Sequence, residues 1–414
     1  MINRHTLANG LTLLHEEDTS TQMVAVNVLY NVGSKDEHPD RTGFAHLFEH
    51  LMFGGSVNIP DYDRPLQDAG GENNAWTSND CTNYYCITPA SNVETGFWLE
   101  SDRMLGLAFS QQSLDVQKSV VIEEFKQRVL NQPYGDMPLI IRPLAYKVHP
   151  YQWATIGKTP EHIEEATLDE VKQFFYKHYA PNNAILSVVG NISFEEALRL
   201  TQKWFGDIEK RDIAKRTLPQ EPEQTEARFE EVYRDVPQST ILKAYHMCAR
   251  TNEDYQACDV LSDILANGRS ARLFNRLVME KQLFIEANAY ITGDIEDGLF
   301  FVTGKPVPGL SLEEADRILT EELETLTKEC VSEYELQKVV NKFESGDLFS
   351  NINYASRAFN IAYYELFSEA EEVDREVNKY LALTPGKIRE VAQKIFRSEN
   401  CSTLWYRSNN ERQS

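Results

Sequence analysis

Two stretches roughly 215 positions apart carry the same pattern, and a chain that repeats itself once at that spacing folds as two similar units. In the first, Thr167-Leu-Asp-Glu-Val-Lys-Gln-Phe-Phe-Tyr-Lys-His-Tyr179 is followed by Asn182-Asn183 and the strand-like run Ala184 to Val189. In the second, Thr384-Pro-Gly-Lys-Ile-Arg-Glu-Val-Ala-Gln-Lys-Ile-Phe396 leads to Asn400 and the run Cys401 to Tyr406. Each reads as a helix capped by a threonine and then a strand, because a threonine hydroxyl can accept from an otherwise unpaired N–H of the first turn. Between the halves, Arg216 to Ala227 is rich in Pro, Glu and Gln and reads as a linker. The expectation is an α+β chain of two tandem domains, residues 1–215 and 228–414, joined by the linker 216–227.

Composition narrows the function classes. A net charge of -23 argues against nucleic acid, since phosphate neutralisation needs clustered Lys and Arg. The first residues, Met1-Ile-Asn-Arg-His-Thr-Leu-Ala-Asn-Gly-Leu-Thr-Leu-Leu14, alternate like a strand pair with a turn at Asn9-Gly10 and have no signal-like apolar core. No run of about 18 apolar residues is present, so no membrane span is expected. The 6 Cys form no C-x-x-C pattern and read as scattered thiols of a reducing, cytoplasmic setting. Cys81 and Cys86, five apart on a strand, should point to opposite faces and are not expected to pair.

Gly43-Phe-Ala-His-Leu-Phe-Glu-His-Leu-Met-Phe-Gly-Gly-Ser56 contains an H-x-x-E-H motif inside an apolar helix. At 3.6 residues per turn, His46 and His50 project from one face, so two imidazole nitrogens can meet one zinc ion. Without a partner, burying two imidazoles and the Glu49 carboxylate among Leu47, Phe48, Leu51, Met52 and Phe53 would cost several kcal/mol, on the order expected for unsatisfied polar groups. Catalytic zinc usually keeps three protein ligands, so a further carboxylate should come from elsewhere. Glu123 and Glu124, in Val120-Val-Ile-Glu-Glu-Phe-Lys-Gln-Arg-Val-Leu130, are the candidates, on a segment that reads as a partly buried helix. Glu49 is placed to accept a proton from the attacking water and return it to the departing amine.

The chain resembles the inverted zinc metallopeptidases typified by pitrilysin, insulin-degrading enzyme and the mitochondrial processing peptidase. The likeness extends over nearly the whole first half: Tyr30-Asn-Val-Gly-Ser-Lys-Asp-Glu37, the motif itself, Gly70-Gly-Glu-Asn-Asn-Ala-Trp-Thr-Ser-Asn-Asp-Cys-Thr-Asn-Tyr-Tyr85, Val120 to Glu124, His149-Pro-Tyr151 and Tyr179-Ala-Pro-Asn-Asn183. The resemblance implies two mainly antiparallel sheets packed with helices, one zinc per catalytic chain and Glu124 as third ligand, with Glu123 the alternative. It further implies that Asn74 and Ala75 lie on an edge strand that holds the substrate backbone. Many relatives have a Glu seven residues before the ligand Glu; here that position is Gln117, which can hold geometry but supplies no charge.

In the second half, Val260 and Ile264 stand where the repeat would place the two histidines, so no equivalent metal site is expected there. Relatives also carry an Arg and, seven residues later, a Tyr that help hold the substrate; here these are Val278 and Ile285, neither able to donate a hydrogen bond. The resemblance therefore implies a heterodimer with a related chain supplying Arg and Tyr, or a homodimer using donors such as Arg276 or Tyr290. The leading reading is a zinc endopeptidase for peptides or unfolded segments. Its rivals are a non-catalytic structural or peptide-binding subunit and a zinc hydrolase of some non-peptide amide.

Overall fold

The computed structural model describes residues 1–214 and 216–413. Six strands build the first sheet: β1 (Asn3–Thr6), β2 (Thr12–Glu17), β3 (Met23–Tyr30), β4 (Glu72–Thr77), β5 (Thr82–Pro89) and β6 (Ala184–Gly190), in the order β1-β2-β6-β3-β5-β4. Five build the second: β7 (Arg228–Arg234), β8 (Thr240–His246), β9 (Phe284–Ile291), β10 (Leu299–Pro306) and β11 (Cys401–Ser408), in the order β7-β11-β8-β10-β9. With β1 set aside, the second sheet repeats the first strand for strand. In each, one parallel pair (β2 with β6, β7 with β11) joins an otherwise antiparallel sheet. The α+β class and the repeat read from the sequence are what the chain folds into.

The alternation of β3 shows why these residues form a central strand. Val24, Val26, Val28 and Tyr30 enter the core on one face, while Ala25 and Leu29 enter a second core on the other. Buried Asn27, the polar interruption, accepts from Asn83 Nδ2 at 2.8 Å and donates to Ser187 Oγ at 3.2 Å. On the same sheet Cys86 packs in the first core and Cys81 in the second, as alternation requires. The β1–β2 turn uses Gly10 at φ +90°, where any Cβ would also lie 2.7 Å from that of Asn182. Both repeat helices carry the expected caps: Thr167 Oγ1 accepts from Glu170 N–H and Thr384 Oγ1 from Lys387 N–H.

The compact units are not the two contiguous halves 1–215 and 228–414 expected from the linker. The first comprises Met1–Gln127, Trp153–Leu218 and Leu348–Asp374; the second comprises Arg128–Gln152, Pro219–Asp347 and Arg375–Ser414. In the first unit, the helix Tyr354–Phe367 buries Ala358, Ile361, Ala362 and Tyr364 against Leu14, Ala25, Leu29, Ile185 and Val189 of the sheet. Ser187 Oγ donates to the Ala358 carbonyl at 2.7 Å, and Arg357 bonds both carboxylate oxygens of Glu16 and reaches Asp374. In the second unit, the helix Met137–Ala145 plays the equivalent part, with Ile141 and Ala145 packed on Leu242, Leu299, Phe301 and Leu404. A linker read from composition marks where the chain passes between units but cannot reveal that one helix of each half covers the other half's sheet.

Candidate metal centre

All of the expected metal ligands fall in the first unit. His46, Glu49 and His50 lie on the helix Phe44–Leu51, whose other face sends Leu47, Phe48 and Leu51 into the core. Phe48 stacks on Phe174 and Tyr179 at ring separations of 5.0 and 5.1 Å, which fixes the helix rotationally and so aims the histidines. The helix starts at Gly43, with φ +88°; a Cβ there would come within 3.0 Å of the Ile156 carbonyl and the Ile163 side chain. Its unpaired first N–H groups are met by buried Glu37, whose carboxyl oxygens accept from Gly43 N–H at 2.9 Å and Ala45 N–H at 2.8 Å. Burial pushes the Glu37 carboxyl up to about 8 against those two bonds. Glu37 closes the Tyr30–Glu37 stretch, and its capping of a helix that begins seven residues later follows no local cap pattern.

The third group arrives on the helix Gln111–Phe125. Glu124 Oε2 lies 3.5 Å from His46 Nε2 and 3.3 Å from His50 Nε2, and one ligand atom from each residue fits within 4.8 Å of the others. A tetrahedral zinc with bonds of about 2.05 Å holds its ligand atoms about 3.3 Å apart, so this donor set of two imidazoles and one carboxylate fits the ion. Among the described residues no other group of three or more His, Cys, Asp or Glu is so arranged. Glu123, one position earlier and therefore about 100° around the helix, is exposed and outside the cluster. The choice between the two carboxylates left open by the residues alone thus falls geometrically on Glu124.

Glu49 is half-buried beside this cluster, and Thr77 Oγ1 donates to its Oε2 at 2.7 Å. Thr77 ends β4 and also comes within 3.5 Å of the Ala45 carbonyl, so it ties the strand to the helix. It sits three positions after Asn74, and its tie to Glu49 is a contact across 28 residues that no local pattern signals. Gln117 lies two turns before Glu124 on the same helix, its amide nitrogen near Gly54, where Ser113 Oγ also donates to the Gly54 carbonyl at 3.3 Å. Behind the segment leaving the His helix, buried Arg103 pairs with Glu100 and lies over the rings of Phe53, Tyr62 and Tyr84 at 5.2, 4.6 and 4.4 Å.

Asn74 and Ala75 lie on β4, the edge strand of the first sheet, opposite Tyr85 and Tyr84 of β5. Exposed Asn74 turns its Oδ1 back onto the Ala75 N–H at 2.8 Å. The second sheet repeats this on its own edge, where Asn288 Oδ1 accepts from Ala289 N–H of β9 at 2.9 Å. In the second unit, Val260 and Ile264 are core residues of the helix Tyr255–Ala266, Val278 packs partly buried against that core, and Ile285 is exposed on β9. Of the alternative donors, Arg276 is bound to Glu322 at 2.9 Å and Tyr290 stacks on Phe301.

Comparison with known proteins agrees with this architecture. Residues 12–135 match the family model described as insulinase (peptidase family M16), and residues 165–343 match that of the peptidase M16 inactive domain. The chain belongs to the M16 peptidase family. It is 29% identical over 408 residues to the zinc protease PqqE of Helicobacter pylori, covering 97% of this chain and 91% of that protein. It is 24% identical over 413 residues to an uncharacterized zinc protease, YmxG, of Bacillus subtilis, covering 98% of both. The crystal structure of a protease from Helicobacter pylori superposes with a TM-score of 0.92 at 27% identity, covering 98% of this chain and 99% of that one.

Proposed function

We propose that this chain is a zinc-dependent endopeptidase that cleaves peptides or unfolded segments, binding one zinc ion through His46, His50 and Glu124. The observation that carries the reading is the convergence of these three ligand atoms within 4.8 Å, with the Glu49 carboxylate alongside. A zinc ion held there would polarise the scissile carbonyl and bring the pKa of a bound water to about 7. Glu49 accepts the proton of the attacking water and returns it to the leaving amine, and Thr77 holds the carboxylate in the orientation this requires. The open edge of β4 receives the substrate as an added strand, which recognises main chain with little regard to side chains. In that step a substrate carbonyl replaces Asn74 Oδ1 on the Ala75 N–H.

The same reading makes the chain the catalytic member of a heterodimer. Val278 and Ile285 offer no donors for the developing charge, and Arg276 is engaged with Glu322. A homodimer is the alternative arrangement. A non-catalytic subunit would draw on the same two residues, but it has no use for a complete set of ligands and a positioned Glu49. A cytoplasmic setting is supported by the cysteines, all free; among the described residues no helix is long and apolar enough to cross a membrane.

Metal analysis with a peptide-library digest tests the proposal, comparing the wild type with Glu49→Gln in the presence and absence of a related chain that carries the Arg and Tyr. The expected result is equal zinc content and a rate lower by about 10²- to 10⁴-fold in the variant. Equal cleavage by both proteins would remove Glu49 as the base. Full turnover without a partner would remove the heterodimer.

A further inference from the structure

The second unit holds two thiols that face one another away from any residue assigned above. Cys248 lies just beyond β8 and Cys258 in the first turn of the helix Tyr255–Ala266, with their sulfurs 3.8 Å apart. A disulfide requires about 2.05 Å, so closure takes a shift of under about 2 Å. The two thiols differ in access. Both line a cavity of about 350 Å³, together with Glu221, Glu223, His246, Lys394 and Arg397, but Cys258 is buried and Cys248 only half-buried. That volume lies within the range of small-molecule sites; Asp254 and Asp297 also line it, and Lys394 and Arg397 pair with Asp254 and Glu223.

Their chemistry differs in the same sense. The hydrogen bond from Cys258 holds the Cys248 thiol below the usual range. The shared proton and burial push Cys258 well above it. The accessible sulfur is thus the better nucleophile at neutral pH, and the buried one is placed to resolve what the first captures.

We propose that Cys248 and Cys258 form a redox-active dithiol, oxidised reversibly by a small disulfide of the glutathione type. The Cys248 thiolate attacks one sulfur of that disulfide, forming a mixed disulfide and releasing one thiolate. Cys258 then gives up its proton and attacks Cys248 Sγ, forming the protein disulfide and releasing the second thiol. Two protein thiols are oxidised and one small disulfide is reduced to two thiols. The product ties the end of β8 to the helix that repeats the His helix of the first unit.

The test treats the full chain, as Cys330→Ser to remove the exposed cysteine, with glutathione disulfide. Remaining thiols are then alkylated and the peptides mapped by mass spectrometry. The expected product is a Cys248–Cys258 cross-link that dithiothreitol removes. With Cys258→Ser, a glutathione mixed disulfide accumulates on Cys248; with Cys248→Ser, residue 258 stays unmodified. Recovery of both cysteines alkylated from folded protein overturns the proposal, as does a Cys258→Ser protein with no glutathione on Cys248. Should the variants not fold, alkylation rates in the otherwise native chain decide instead: Cys248 must react faster than Cys258, and equal rates count against the pair.

Discussion

Adjacent acids at 123 and 124 have different fates because one position on a helix is a turn of about 100°, and only the direction of the helix decides which reaches the histidines. Glu124→Gln is expected to lose bound zinc on dialysis, while Glu123→Gln keeps it; elemental analysis of the two proteins checks this, and parity between them would contradict the ligand assignment. His46, Glu49 and His50 were legible in the sequence, since their spacing sets one helical face. Thr77 was not, because its role depends on β4 ending beside that helix, a contact between segments distant in sequence. Cys248 and Cys258 escaped for a similar reason: their meeting requires a strand end and a helix start to pack together.

Strands and caps were legible as elements because their signals are local. Thr167 and Thr384 announce their helices, and the alternation of β3 announces a strand with cores on both faces. The docking of the helix Tyr354–Phe367 was not legible. Its apolar face says that it must be buried, but nothing local says against which sheet. Ile361, fully buried beneath it, is the sharpest probe of that docking. Ile361→Ala is expected to cost about 2–5 kcal/mol by cavity formation. Urea denaturation followed by tryptophan fluorescence would report it, and a change below about 1 kcal/mol would mean that the helix is not packed as described.

At the scale of the molecule, buried histidines tie stability to pH. Burial, with Lys177 and Arg216 nearby, lowers His178 to about 3, so the folded state keeps it neutral while an unfolded histidine gains a proton below about 6.5. Its contribution is present above about 6.5 and is lost as pH falls toward 3, at up to about 1.4 kcal/mol per pH unit. Denaturation midpoints of the wild type should therefore fall between pH 7 and 5 more steeply than those of His178→Gln, and identical slopes would exclude the group. The exchange of helices makes a further demand. A fragment ending at residue 227 lacks the helix Tyr354–Phe367 and leaves Leu14, Ala25 and Leu29 uncovered, so it should aggregate or fail to unfold cooperatively, as scanning calorimetry would record. During synthesis the same arrangement imposes a wait. At about 5–20 residues per second, the ribosome adds Ile361 tens of seconds or less after the first sheet's last strand emerges, and for that interval the nascent sheet has one bare apolar face. A holdase chaperone would find its target there, and the earliest domain to be translated can be completed only once residues 348–374 have been added.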